Sequence, residues 1–265
     1  MKKDLILNSG EYTYYKYAKE VGRVIDGNYT GHGNDGKIVR FDKNNVIKLW
    51  YDSDFECELN PATKEEYINN LKNMIDDNCN FKYIYTPKRF VIYKNEIVGY
   101  VMKYFYGRNI KDISELTSFR ALLSGLKRFE KEIYEFSKLG YKLDDIHDKN
   151  LMLNQKHKIL SFGLMDPDSY EKLSSFDFID LYESNISEIR KIVLNAFLND
   201  ELEKFILKSK SLNHVYQLIY QDKNDELYTF LEELKLRVEK YSKSKINTIG
   251  DFKTLLKRWC YDYMY

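Results

Sequence analysis

The sequence predicts a mixed α+β protein whose first third is rich in β-strands and whose remainder is helical. Short runs of β-branched and aromatic residues, separated by turn residues, dominate the chain up to about residue 105. After residue 110 the apolar residues recur at spacings of three and four, which is the period of an amphipathic helix. No repeat or low-complexity linker interrupts the 265 residues. We therefore expect an α+β architecture in two parts, residues 1–103 and 104–265.

The first part is predicted to contain five strands and one helix. Glycine, asparagine and aspartate clusters mark the turns between the strands. The helix is expected to begin at a capping box, Thr63-Lys64-Glu65-Glu66, and to run to about Asp77. The strands are expected at residues 23–29, 37–41, 45–50, 89–93 and 97–104.

The second part is predicted to be mainly helical. Its first helix covers residues 120–139, and Gly140 is expected to end it. A second capping box, Asn185-Ile186-Ser187-Glu188, predicts a helix that begins there and continues to residue 198. Two later helices are indicated by apolar faces, one made of Leu227, Phe230, Leu231, Leu234 and Val238 and the other of Ile249, Phe252, Leu256 and Trp259.

The composition argues against several classes of protein. Lys and Arg number 42 and Asp and Glu 41, so a net charge of +1 gives no electrostatic case for binding nucleic acid or a membrane surface. Cys57, Cys79 and Cys260 form no C-x-x-C pair and no cluster with histidine, so neither disulfides nor a zinc site are predicted. The start resembles no signal peptide and no run is long enough to span a bilayer, so we expect a cytoplasmic protein. The richness in Tyr, Lys, Asn and Ile resembles the coding bias of an AT-rich bacterium.

A glycine-rich turn is the first motif with possible chemistry. Residues 31–36 read Gly-His-Gly-Asn-Asp-Gly and lie between two strand-like runs. A Rossmann dinucleotide site would need a helix after the glycines, so this context disfavours one. It favours a flexible hairpin whose backbone N–H groups cover the phosphates of a nucleotide, and a plain turn is the alternative.

A lysine within an apolar strand is the second motif. Lys48 lies in Val46-Ile47-Lys48-Leu49, and burying its ammonium group would cost several kcal/mol without a partner. Glu65 and Glu66, in the first turn of the following helix, are the expected partners. The alternative is a lysine on an edge strand that faces water.

The third motif is a loop with an aspartate and an asparagine five residues apart. In Asp145-Ile146-His147-Asp148-Lys149-Asn150 the carboxylate of Asp145 can orient an attacking hydroxyl, while the amide oxygen of Asn150 can hold magnesium. Ser161-Phe162-Gly163 begins eleven residues after Asn150 and follows a short strand. The order of these motifs is more specific than any one of them.

In this order the motifs resemble those of the protein-kinase-like superfamily, over roughly residues 20–200. The resemblance implies a bilobal fold, with a small β-rich lobe that carries one helix and a larger helical lobe. It also implies that ATP and Mg²⁺ are the ligands. The implied site residues are Gly31, Gly33 and Gly36 in the glycine-rich loop, Lys48 on the phosphates with Glu65 or Glu66 as its partner, Met102 as gatekeeper, Tyr104 in the hinge, Asp145 as the catalytic aspartate and Asn150 as a metal ligand.

The sequence departs from the family pattern at several positions. Leu143-Asp144-Asp145 replaces His-Arg-Asp, so control by a phosphorylated activation loop is not expected. No Ala-Pro-Glu follows Ser161-Phe162-Gly163. His147 stands where many protein kinases have lysine, and this histidine is common in the aminoglycoside- and choline-kinase branch.

Ser161 is the most serious departure, because it occupies the usual position of the metal-binding aspartate of Asp-Phe-Gly. A neutral hydroxyl is a poor ligand for a hard cation, so magnesium binding is expected to be weak or atypical. Two arrangements would preserve it: Asp166 or Asp168 supplies the carboxylate, or Asn150 and Asp145 hold the metal unaided.

The motifs and their departures from the family pattern leave three functions open. The first is an ATP-dependent phosphotransferase that acts on protein hydroxyls. The second is a pseudokinase that serves as a nucleotide-binding or protein-interaction module, which Ser161 favours. The third is a small-molecule kinase, which His147 favours.

Overall fold

The computed structural model describes residues 3–19, 24–25, 28–29, 36–51, 60–144, 146–156, 159–197 and 227–262. These residues contain a five-stranded sheet and six α-helices, which confirms the α+β class. The chain divides into two compact units. The first consists of Met1–Tyr106 with Met165–Tyr170, and the second of Gly107–Leu164 with Glu171–Tyr265. A short segment from the second half of the chain therefore belongs to the first unit.

The first unit is organised around the five-stranded sheet, in the order β1-β6-β7-β5-β4. All neighbouring strands are antiparallel except β1 and β6, which are parallel. One face of the sheet contributes to a core of Leu7, Tyr12, Val39, Ile47, Leu49, Val91 and Val101. The strands of this unit are β1 (Leu5–Ile6), a separate hairpin of β2 (Val24–Ile25) and β3 (Asn28–Tyr29), and then β4 (Gly36–Arg40), β5 (Asn45–Trp50), β6 (Pro87–Tyr93) and β7 (Glu96–Lys103).

Two helices accompany this sheet. Helix α1 (Ser9–Tyr17) begins at a capping box in which Asn8 and Glu11 bond each other's backbone N–H groups. Helix α2 (Pro61–Asp76) begins three residues earlier than expected. The side chain of Asn60 accepts a hydrogen bond from the N–H of Ala62, at 2.9 Å, so the predicted capping box at Thr63 is wrong. Asn60-Pro61 is itself a start signal, because proline suits the first helical turn.

The second unit contains the remaining helices and two small sheets. Helix α3 (Phe119–Lys138) agrees with its prediction, and Gly140 follows it with φ of 83°, a conformation that favours glycine. One sheet has the order β11-β10-β8 and the other pairs β12 with β9. The other elements are β8 (Arg108–Asn109), β9 (Tyr141–Lys142), β10 (Leu151–Lys156), β11 (Ile159–Leu164), β12 (Glu171–Lys172), α4 (Phe178–Phe197), α5 (Leu227–Ser242) and α6 (Ile249–Asp262).

Helix α4 begins before the predicted capping box, so that prediction is also wrong. The carboxylate of Asp177 accepts hydrogen bonds from the N–H groups of Ile179 and Asp180, at 2.8 and 3.1 Å, and caps the helix there. Asn185 instead lies inside the helix and is completely buried. Within the described residues, no helix combines the length and the hydrophobicity needed to cross a bilayer.

Candidate functional site

Lys48 is buried because both faces of its strand are covered. Alternate residues of a strand point to opposite faces, so Ile47 and Leu49 enter the core of the first unit while Val46, Lys48 and Trp50 lie on the other face. Lys48 is only 3% exposed. The alternative of a lysine facing water is therefore excluded, and the question becomes which groups balance its charge.

The partners of Lys48 are two aspartates from the segment Met165–Tyr170. Its Nζ atom forms an ion pair with Oδ1 of Asp166 and a second one, at 2.7 Å, with Oδ2 of Asp168. The expected partners, Glu65 and Glu66, both lie on the exposed side of α2, and no ion pair between them and Lys48 is present in the described structure. The predicted pairing is thus wrong. The physical reason for this error is the orientation of α2 about its own axis, which buries Asn70, Leu71 and Met74 and leaves Glu65 and Glu66 exposed.

Three further polar side chains surround Asp168. Trp50 Nε1 donates a hydrogen bond to its Oδ2 at 3.3 Å, and Asn70 Nδ2 donates to its backbone carbonyl at 3.4 Å. Tyr100 is completely buried on β7, directly opposite Lys48 in the sheet. Burial raises the pKa of Tyr100, and the charge of the nearby carboxylate of Asp168 raises it further.

The charges of this cluster do not cancel. Two carboxylates face one ammonium group, which leaves one surplus negative charge, and Asp166 is the more exposed of the two carboxylates. Burial alone would lower the pKa of Lys48, but Asp166 and Asp168 outweigh it and raise that pKa. Burial, together with the charge of Asp166, raises the pKa of Asp168 despite the attraction of Lys48. A nearby cation would relieve the surplus charge, but the two carboxylates alone are too few to form a metal site.

The backbone of the aspartate segment is tightly constrained. Asp166 has φ of 68° and ψ of 68°, a left-handed conformation that aspartate tolerates better than most residues. Pro167 follows it, and Asp168 then lies in a single 3₁₀ turn. The buried hydroxyl of Tyr170 donates to the carbonyl of Met165 at 3.0 Å and closes the segment on itself. Strained non-glycine residues of this kind cluster at functional sites.

Ser161 does not occupy the place that the sequence predicted for it. It lies in the middle of β11, where it pairs with Asn154 of β10, and the strand continues to Leu164. Phe162 is buried and stacks on Phe129 with ring centroids 5.5 Å apart. Ser161-Phe162-Gly163 is therefore part of a β-hairpin, and the acidic residues that follow the end of the strand are Asp166 and Asp168.

The loop with Asn150 belongs to the second unit. Asp145 lies outside the described residues, but the turn after it is well defined. Asn150 is 5% exposed, its N–H bonds the carbonyl of His147 at 2.9 Å, and its Nδ2 lies 3.3 Å from Nε2 of His147. The two side chains are therefore within hydrogen-bond distance of each other, and the tautomer of His147 sets which of them donates.

A second set of contacts holds the same turn. Asn109 Nδ2 donates to the carbonyl of Asp148 at 2.9 Å, and Lys111 forms an ion pair with its carboxylate at 2.9 Å. Burial alone would raise the pKa of Asp148, but the hydrogen bond and charge of Lys111 lower it. The turn that carries Asn150 is thus fixed from the side of β8.

The other predicted nucleotide-binding residues lie along the sheet, where the structure describes them. Gly31 and Gly33 are outside the described residues. Gly36 begins β4, and a Cβ atom there would lie 2.5 Å from the carbonyl oxygen of Leu49, so only glycine fits. Met102 is buried opposite Val46 and so shares the face of Lys48. Tyr104 donates its N–H to the carbonyl of Asn44 at 2.8 Å, and the guanidinium of Arg40 covers its ring.

The sequence analysis missed Trp50, Asn70 and Tyr100 as members of the Lys48 cluster. Asn70 could have been found, since a polar residue three positions after Tyr67 and four before Met74 falls on the apolar face of α2. In the described part of the chain, no group of three or more His, Cys, Asp or Glu side chains could hold a metal ion alone. Comparison with known proteins found no relative: no family model fits the sequence, and no curated protein matches it.

Proposed function

We propose that this chain is a cytoplasmic, bilobal, kinase-like protein that binds ATP and transfers its terminal phosphate to protein hydroxyl groups. The observation that carries the proposal is the buried ion-pair cluster of Lys48, Asp166 and Asp168. A lysine that is buried and charged next to exchangeable carboxylates can turn to the phosphates of a nucleotide at little cost, because one carboxylate remains as its partner.

The same cluster supports a revised assignment of the metal ligand. Asp166 and not Ser161 would be the Mg²⁺ ligand of the first unit, and Asn150 remains the candidate metal ligand within the second. The surplus negative charge makes the cluster receptive to a cation. When bound, the ion would neutralise charge on the phosphates. The protein's own contribution is to hold Lys48 charged and fixed, while Asp145 would orient the acceptor hydroxyl.

The two alternatives rest on different residues. The pseudokinase function was suggested by Ser161, and it loses that support once Asp166 is the carboxylate next to Lys48. A small-molecule kinase is still suggested by His147, whose ring is held by Asn150. Transfer from labelled ATP to a protein mixture, compared with transfer to aminoglycosides and choline, distinguishes the two acceptor classes.

The decisive test is nucleotide binding, measured as the change in the midpoint temperature of thermal unfolding. A ligand that binds only the folded protein at 100 times its dissociation constant stabilises it by about 2.7 kcal/mol. We expect ATP to raise the midpoint, ATP with Mg²⁺ to raise it further, and Asp166→Asn to lose only the increment from Mg²⁺. No shift at millimolar ATP would overturn the proposal.

The catalytic assignment needs a separate comparison in the same preparation. Asp145→Ala should lose phosphate transfer by about 10³-fold or more, since it removes the group that orients the acceptor. Asp144→Ala is the matched control, because this neighbouring aspartate is exposed and should keep its activity. Equal activity of wild type and Asp145→Ala would show that the loop is assigned wrongly.

A further inference from the structure

The two carboxylates that contact Lys48 differ sharply in their surroundings. The side chain of Asp166 is 36% exposed, while that of Asp168 is 4% exposed, as is that of Lys48. Water can therefore reach Asp166 and screen its attraction for the ammonium group, whereas the ion pair between Lys48 and Asp168 is shielded from water. Lys48 is thus paired with one carboxylate that water reaches, Asp166, and with one that water does not reach, Asp168.

Asp168 is also fixed by contacts that Asp166 lacks. Its Oδ2 atom accepts hydrogen bonds from both Lys48 and Trp50, which lie two residues apart on the same face of β5. Its carbonyl accepts a hydrogen bond from Asn70 of α2. These contacts hold the carboxylate of Asp168 in one position, next to the ammonium group of Lys48.

Helix α2 reaches the cluster through a neutral side chain. Asn70 touches the backbone of Asp168, and the two glutamates nearest the start of α2, Glu65 and Glu66, are exposed. The charge of Lys48 is consequently balanced within the sheet and the segment Met165–Tyr170. The same helix also packs against the 3₁₀ turn that carries Asp168, so α2 supports the position of that turn without supplying a charge to Lys48.

We propose that Asp168 is the permanent counter-ion that positions Lys48, and that Asp166 is the exchangeable one, which leaves the lysine for a divalent cation when a phosphorylated ligand binds. The first half of this proposal stands on the contacts alone. The second half rests on the proposed function. Asp168 is then a positioning residue, and the exposed glutamates of α2 do not supply the counter-charge of Lys48.

The first test uses the protein without nucleotide, so it does not depend on the proposed function. The rate at which an amine-acylating reagent modifies Lys48 is measured by mass spectrometry between pH 7 and 10. One unit of pKa changes the fraction of reactive amine tenfold. We expect Asp168→Asn to raise the rate about tenfold at pH 8, and Asp166→Asn to raise it less than about threefold.

The control variant is the double substitution Glu65→Gln and Glu66→Gln, which changes two exposed residues and should fold normally. We expect it to leave the modification rate and its pH profile unchanged, and a rise comparable to that of Asp168→Asn would overturn the proposal. If circular dichroism shows that Asp168→Asn is unfolded, Asp166→Asn decides alone. Asparagine tolerates the left-handed backbone at this position, so this variant should fold, and a tenfold rise in it contradicts the assignment.

The second test measures the dissociation constant of ATP by calorimetry, with and without Mg²⁺. Asp168→Asn should weaken both constants by about tenfold and keep their ratio, because the lysine is misplaced but the metal ligand remains. Asp166→Asn should remove the effect of Mg²⁺ and leave binding of ATP alone within about twofold. Equal losses in the two variants would refute the division of roles. If wild type binds no ATP, the proposed function fails while the modification result still stands or falls by itself.

Discussion

Asn185 is the residue that ties helix α4 to the chain before the Asn150 loop. Its Oδ1 atom accepts a hydrogen bond from the N–H of Leu143 at 2.8 Å, and its Nδ2 group donates to the carbonyl of Tyr141 and the hydroxyl of Ser137, both at 2.9 Å. All four residues are buried. One amide therefore satisfies three polar groups that water does not reach.

Replacement of Asn185 by alanine should be costly. It leaves a backbone N–H and a backbone carbonyl buried without their partner, and we expect the free energy of unfolding to fall by about 3 kcal/mol. Urea denaturation followed by circular dichroism measures the loss. Asn69→Ala, at an exposed position of α2, is the matched control and should change stability by less than about 0.5 kcal/mol. A loss below about 1 kcal/mol for Asn185→Ala would contradict this role.

The residues of the Lys48 cluster show what a sequence can and cannot reveal about a site. Lys48 was found because its strand is apolar on both sides, which is a local pattern. Its partners lie 118 and 120 residues away along the chain, and no local pattern joins them. Asp166 and Asp168 were considered only as substitutes for Ser161, because the strand before them was expected to end at Leu160, four residues before its actual end at Leu164.

At the scale of elements, helix interiors were predicted better than helix starts. The periods of α3, α5 and α6 located these helices, since an apolar face repeats over many residues. A start depends on one or two hydrogen bonds, and each of the two capping boxes predicted at Thr63 and Asn185 lies inside a helix that had already begun. Thr-x-x-Glu also occurs by chance in a helix interior, so the motif alone does not define a boundary.

The start of α2 can be tested directly. Asn60→Ala should lower the free energy of unfolding by about 1 kcal/mol, because it leaves the N–H of Ala62 without its acceptor. Thr63→Ala should change it by less than about 0.5 kcal/mol or raise it, since alanine has the higher helix propensity. Guanidinium denaturation of the two variants makes the comparison. A larger loss for Thr63→Ala would restore the capping box.

At the scale of the whole molecule, the two units differ in the direction in which the pKa values of their carboxylates are shifted. In the second unit Lys111 lowers the pKa of Asp148 and Lys235 lowers that of Glu239, each against the effect of burial, and the N–H groups of Thr248 and Asn247 lower that of Asp251. Carboxylates with a lowered pKa stabilise the folded state above the unfolded value near 4, and this contribution disappears as the pH falls below it.

The first unit has carboxylate pKa values shifted in both directions, so we expect it to be the more resistant to acid. Its Asp42 also has a lowered pKa, through hydrogen bonds from Asn45 and Asn44. The pKa of Asp168 is raised, however, so on acidification Asp168 binds a proton in the folded state before it does so in the unfolded chain. Between this raised pKa and the unfolded value near 4, a fall in pH therefore stabilises the folded first unit.

The two tryptophans make the difference in acid resistance measurable, because each unit contains one of them, both buried. In Trp50→Phe the remaining Trp259 reports on the second unit, and in Trp259→Phe the remaining Trp50 reports on the first. We expect the emission of Trp259 to shift at a higher pH than that of Trp50 during titration from pH 6 to 2. The shift should move to lower pH in Asp251→Asn, which has one titrating carboxylate fewer in the second unit. Coincident transitions would show that the two units unfold together, and the reverse order would show that the lowered carboxylates do not set the acid stability of the second unit.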